Sequence, residues 1–128
     1  MPAKSTPQPK AMRPAEKVFA IPFGGLYQAY TVKVERKGRS SKELDEVLSW
    51  LTGYDAAGLR KMAAGGSDLT AFFAQAPRLN PKRSLVTGVI CGVRIEDLDD
   101  PLMQLIRQMD KLVDELAKGR AMEKVLRN

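Results

Sequence analysis

Histidine is absent from this 128-residue chain, and cysteine occurs once, as Cys91. The first absence removes the commonest general base, the commonest metal ligand and every Ser-His or Cys-His nucleophile pair. The second excludes an intramolecular disulfide framework and a zinc site built from several cysteines. Any metal would need oxygen ligands, and catalysis would fall to Asp, Glu, Lys, Tyr or Arg. Aromatic residues make up only 6% of the chain, with Trp50 the single tryptophan. No apolar run approaches the ~20 residues of a membrane-spanning helix. Residues 1–17 lack the apolar stretch of a secretory signal, so no membrane contact and a cytoplasmic location are expected.

What is present suffices for one core: 44% of residues are hydrophobic, in a chain of single-domain length. Pro, Ser, Lys and Gln crowd residues 1–17, which read as a disordered basic leader ahead of a single domain over 18–128. The net charge of +6 is unevenly placed. Lys4, Lys10, Arg13 and Lys17 against Glu16 leave +3 in the leader. Lys33, Arg36, Lys37, Arg39 and Lys42 against Glu35 make a local +4 cluster, and Glu96, Asp97, Asp99 and Asp100 an acidic one. Such segregation suits an anionic partner at one place and a helix start at the other.

Periodicity divides the domain into helices. After Pro22, the positions Phe23, Leu26, Tyr27, Tyr30 and Val34 recur at helical steps, and Gly38 closes the run. Leu44, Val47, Leu48 and Leu51 form one face of a second helix. Ser40 and Glu43 are spaced for a capping box at its entrance, and Gly53 sits at a left-handed stop. Asp55 is placed to cap a short helix through Met62, and Ser67 or Asp68 another that ends before Pro77. Asn80-Pro81 has the form of a cap followed by a first helical residue. Leu85–Ile95 is ambiguous. Its Val and Ile content suits a buried strand, but Val86, Val89, Ile90 and Val93 fit a helical face with Gly88 and Gly92 four apart, and helix is preferred. From Asp100-Pro101, Leu102, Leu105, Ile106, Met109, Leu112, Val113 and Leu116 mark the longest helix, and Met122, Val125 and Leu126 a short last one. The expected fold is mainly α, a small bundle of five or six helices, with a small α+β domain using Leu85–Ile95 as a strand as the alternative.

Four strings then stand out in order: Trp50-Leu51-Thr52-Gly53-Tyr54; Phe72-Phe73-Ala74-Gln75-Ala76-Pro77; Thr87-Gly88-Val89-Ile90-Cys91-Gly92-Val93-Arg94; and Asp100-Pro101-Leu102-Met103-Gln104, with Asp110-Lys111-Leu112-Val113-Asp114-Glu115-Leu116-Ala117-Lys118-Gly119 after it. On these the chain, from Val18 to Arg127, resembles a small bacterial family known as domain of unknown function 2200. The resemblance implies a compact cytoplasmic bacterial domain and carries over no catalytic residue.

Candidate sites are therefore read from the residues alone. Tyr27, Tyr30, Trp50 and Tyr54 could line a ligand pocket, or could simply finish the core, each ring with its polar tip satisfied. Asn80, Lys82 and Arg83, near Arg78, could hold an anion, or form a solvated basic loop. Cys91 reads as an inert buried thiol. The acidic cluster reads as helix caps, and neither a metal nor a cofactor is expected. The reading is a non-catalytic ligand- or protein-binding module. The alternatives are a weak nucleic-acid binder using the basic leader and the 33–42 cluster and, behind it, an enzyme working with Asp, Glu, Arg or Tyr. A homodimer through the apolar stripe of the long helix is a further expectation.

Overall fold

The computed structural model describes residues 14–127. Seven α-helices lie within them: α1 (Pro14–Phe19), α2 (Phe23–Arg36), α3 (Ser41–Thr52), α4 (Ala56–Ala64), α5 (Leu69–Ala74), α6 (Pro101–Ala117) and α7 (Met122–Val125). Two strands, β1 (Val89–Ile90) and β2 (Val93–Arg94), and short 3₁₀ turns over Pro81–Leu85 and Ile95–Asp97 connect α5 to α6. The fold is mainly α with one small strand pair. Of the leader expected over 1–17, residues 1–13 lie outside the described residues, and Pro14 to Lys17 belong to α1.

The helix ends follow from local chemistry. The Ser40 hydroxyl accepts from the Glu43 N–H while the Glu43 carboxylate accepts from the Ser40 N–H, so two backbone donors that the helix cannot satisfy are met reciprocally. Asp55, Asp68 and Asp100 each accept from backbone N–H groups at the starts of α4, α5 and α6.

Phe23, Leu44, Leu48, Leu51, Leu59, Leu69 and Phe72 fill one side of the core, with Phe23 stacked on Phe72 at a ring separation of 3.9 Å. On the other side α6 inserts Ile106, Met109, Leu112, Val113 and Leu116, each no more than 2% exposed. Of the long apolar stripe that suggested a homodimer, these five positions are packed within the chain, while Leu102 and Leu105 are half-buried. The large hydrophobics left exposed among the described residues are Ile21, Val32, Leu85 and Val89.

The segment 85–95 departs from the preferred helix. Leu85 ends a 3₁₀ turn and Val86 is buried. Val89 then pairs with Arg94, and Ile90 with Val93, in a two-residue antiparallel hairpin. Cys91 and Gly92 form the turn with φ of 52° and 77°. Positive φ at both central residues is the turn whose twist suits a tight hairpin, and a helix cannot contain it. Gly88 and Gly92 therefore serve left-handed backbone, not helix contact: a Cβ added at Gly92 would meet nothing within 4 Å. At the hairpin tip Cys91 is exposed, which corrects the expectation of a buried thiol. The Glu96 carboxylate accepts from the Gly88 N–H at 2.9 Å and so closes the hairpin base.

Candidate functional site

The outward stripe of α3 carries Ser41, Lys42, Glu46, Ser49 and Trp50, with Asp45 buried along it, opposite the buried Leu44, Val47, Leu48 and Leu51. Two hollows open along this stripe and share Ser49. The larger, about 550 Å³, lies over the N-terminal half of α3, bounded by Ala56 and Arg60 of α4 and by Leu126 beyond α7. Leu126 is placed by its neighbour: the Arg127 guanidinium bonds both Glu115 carboxylate oxygens, at 2.7 and 2.9 Å, and donates to the Val125 carbonyl. Asp45, 6% exposed, is bounded by two donors. The Tyr27 hydroxyl donates to one carboxylate oxygen at 2.6 Å and the Arg60 guanidinium to the other at 3.3 Å. Burial, then the bond to Asp45, pushes the Tyr27 phenol up to about 12, so it stays a donor.

The smaller hollow, about 360 Å³, is built where the chain recrosses the end of α3. The Arg78 N–H donates to the Thr52 carbonyl at 3.0 Å and the Asn80 N–H to the Leu51 carbonyl at 2.9 Å, so residues 78–80 are strapped over the last turn. Only glycine fits beneath that strap. Gly53 has φ of 83°, and a Cβ there would lie 2.7 Å from the Arg78 nitrogen. Ser49, Trp50 and Gly53 form one wall; Arg78, Asn80, Pro81 and Lys82 form the other. The wall residues include two cations and no carboxylate.

The four candidate aromatics do not share a pocket. Tyr54 is buried on Phe72 and donates to the Phe72 carbonyl at 2.7 Å. Tyr30 is buried, with its hydroxyl on Asp110 of α6. Tyr27 stands behind the larger hollow through Asp45, and Trp50 lines the smaller. Trp50 instead joins Asn80 and Lys82 of the candidate anion group. Arg83 turns back to brace its own turn, donating to the Asn80 carbonyl at 3.0 Å. The Asn80 side chain accepts from the Lys82 N–H as a local cap.

Sequence reasoning missed the polar group around Asp110, which accepts from Tyr30 and from Arg107 at 3.0 Å, with the Cys91 sulfur 3.9 Å away. Only the i, i+3 spacing of Arg107 and Asp110 was visible in advance. The basic 33–42 cluster is also partly consumed. Lys33 pairs with Asp114 at 3.2 Å. Arg39 holds Glu43 and donates to the carbonyls of Leu116, at 3.1 Å, and Arg120, at 2.9 Å, which closes the C-terminal end of α6. Arg36, Lys37 and Lys42 remain exposed. Of the acidic cluster, Asp100 caps α6 and Glu96 closes the hairpin. Among the described residues no three His, Cys, Asp or Glu side chains are grouped to hold a metal ion. No helix among them is long and apolar enough to cross a membrane.

A mainly α fold with two hollows along α3 is thus what the sequence builds. The chain belongs to the bacterial family described as uncharacterized protein conserved in bacteria (DUF2200), whose family model matches residues 17–127. It is similar to the crystal structure of the uncharacterized protein SP1917, with 46% sequence identity and a TM-score of 0.83, over 91% of this chain and 94% of that one. The curated proteins contain no match.

Proposed function

We propose that the domain is a non-catalytic binding module whose smaller hollow takes a small ligand joining an anionic group to a flat ring. The observation that carries this is the meeting of Trp50 with Arg78 and Lys82 in a hollow whose walls bring no carboxylate. An aromatic wall offers a stacking face and the cations offer charge-assisted hydrogen bonds. The backbone strap holds its wall in place before any ligand arrives, which lowers the ordering cost of binding. A catalytic reading has less support. Cys91 lies at the hairpin tip beside Asp110, and Asp45, in the other hollow, is already engaged by Tyr27 and Arg60.

Trp50, the single tryptophan, lines this hollow, so its fluorescence reports on binding there. Titration with phenyl phosphate should change its fluorescence saturably, with a Kd of about 10⁻⁴ M, equivalent to ~5.5 kcal/mol. Inorganic phosphate should bind more weakly, because it lacks the ring. Arg78→Gln and Lys82→Gln should each weaken phenyl phosphate about tenfold, the worth of one hydrogen bond to a charged group. Fluorescence indifferent to phenyl phosphate up to millimolar concentration removes the reading.

A further inference from the structure

The larger hollow has a different chemistry from its neighbour. Its four charged residues balance: Asp45 and Glu46 against Lys42 and Arg60. Lys42 and Glu46 are exposed and make no ion pair among the described residues. Arg60 commits one N–H to Asp45 at 3.3 Å, and its side chain is 63% exposed, so the rest of its donor fork stays available. Ser41 and Ser49 add hydroxyls that can donate or accept, while Ala56 and Leu126 supply apolar wall. The volume of about 550 Å³ lies inside the range of small-molecule sites, roughly 300–1,000 Å³.

A simple anion entering here would meet Asp45 and Glu46, and a simple amine would meet Lys42 and Arg60. A ligand with both charges leaves neither sign unmatched. We infer that this hollow is a second ligand site, for a small zwitterion of the amino-acid or short-peptide class with an apolar side chain. Its ammonium faces Glu46, its carboxylate meets the open fork of Arg60 with Lys42 beside it, and its side chain lies against Leu126 and Ala56. Asp45, held from behind by Tyr27, fixes Arg60 in place. The inference stands apart from the phosphate-type reading of the Trp50 hollow, since the charged groups it uses are different ones.

Calorimetric titration of the full chain with the dipeptide Leu-Leu, its N-acetyl form and its C-terminal amide tests it. The free dipeptide should bind saturably, and each blocked form at least about fivefold more weakly, a difference of ~1 kcal/mol. Glu46→Gln should abolish the preference for the free amine and leave the preference for the free carboxylate. Arg60→Gln should do the reverse. Lys82→Gln, in the neighbouring hollow, should leave Leu-Leu affinity unchanged whether or not that hollow binds phenyl phosphate. Glu46 and Arg60 are exposed, and Tyr27 still donates to the buried Asp45 when Arg60 is replaced, so the fold should persist, which circular dichroism checks. No saturable heat with Leu-Leu overturns the inference. So do equal affinities for free and blocked peptides, and so do preferences that survive both substitutions.

Discussion

Each of the three tyrosines sends its hydroxyl to a fixed acceptor: Tyr27 to Asp45, Tyr30 to Asp110 and Tyr54 to the Phe72 carbonyl. Burial raises all three phenols, and for Tyr27 and Tyr30 the neighbouring carboxylate raises them further, because phenolate beside carboxylate would put two negative charges together. The ordinary value is 10.0, and Tyr27 reaches about 12. Since the folded-state value exceeds the unfolded one in each case, the stabilisation is complete below the ordinary value and is lost as pH rises above it. Phenolate absorbance in the near ultraviolet should therefore have its midpoints above the ordinary value of 10.0 and climb together with loss of helical circular dichroism. A midpoint near 10 with helicity intact would place a tyrosine in solvent. At this scale the sequence shows that a tyrosine has an apolar body and a polar tip. It cannot show what the tip meets: Asp110 lies 80 residues from Tyr30.

At the scale of elements, legibility followed the range of the interactions. The α3 caps were readable because the capping box spans three residues and Gly53 stands at the stop itself. The stretch 85–95 was not. Val86, Val89, Ile90 and Val93 fit helical spacing by coincidence, and Cys-Gly is not the Asn-Gly or Asp-Gly pair that announces a tight hairpin turn. The Trp50 hollow was half legible. Trp50 and the Asn80 group were each singled out, but the two strap hydrogen bonds that join them are backbone contacts, which leave no side-chain signature. Adjacent glycines in α2 show the same limit. Both weaken a helix start by composition, yet a Cβ at Gly24 would lie 2.3 Å from the Ala63 carbonyl oxygen of α4, while at Gly25 it would meet nothing within 4 Å. Gly25→Ala should stabilise by up to about 1 kcal/mol through helix propensity. Gly24→Ala should destabilise by about 1–3 kcal/mol net of that gain, because α2 and α4 must move apart. Urea denaturation of the two variants decides it, and equal stabilisation by both would mean that the helices are not in contact at Gly24.

Over the whole molecule, charge is the property most open to misreading from composition. The 33–42 segment sums to +4, enough to suggest a surface for polyanions. In the fold, however, Lys33 answers Asp114, and Arg39 is spent on Glu43 and on the carbonyls that end α6. The cations of this segment left unpaired at the surface among the described residues are Arg36, Lys37 and Lys42, with Glu35 and Glu46 exposed near them in the chain. A polyanion along this side would gain few phosphate contacts and would meet carboxylates as well. The full chain should therefore bind duplex DNA only weakly at 150 mM salt, with a Kd of about 10⁻⁴ M or poorer, the range of non-specific electrostatic binding. Replacing Arg36, Lys37 and Lys42 together by Gln should flatten whatever salt slope exists by about one per lost contact. Arg39→Gln should behave differently. It should cost stability, seen as a lower thermal midpoint, because it removes the guanidinium bonds to the Leu116 and Arg120 carbonyls and to Glu43, and it should leave the salt slope unchanged. Submicromolar DNA binding at 150 mM salt, lost in the triple variant, would instead put a nucleic acid ahead of a small ligand as the partner.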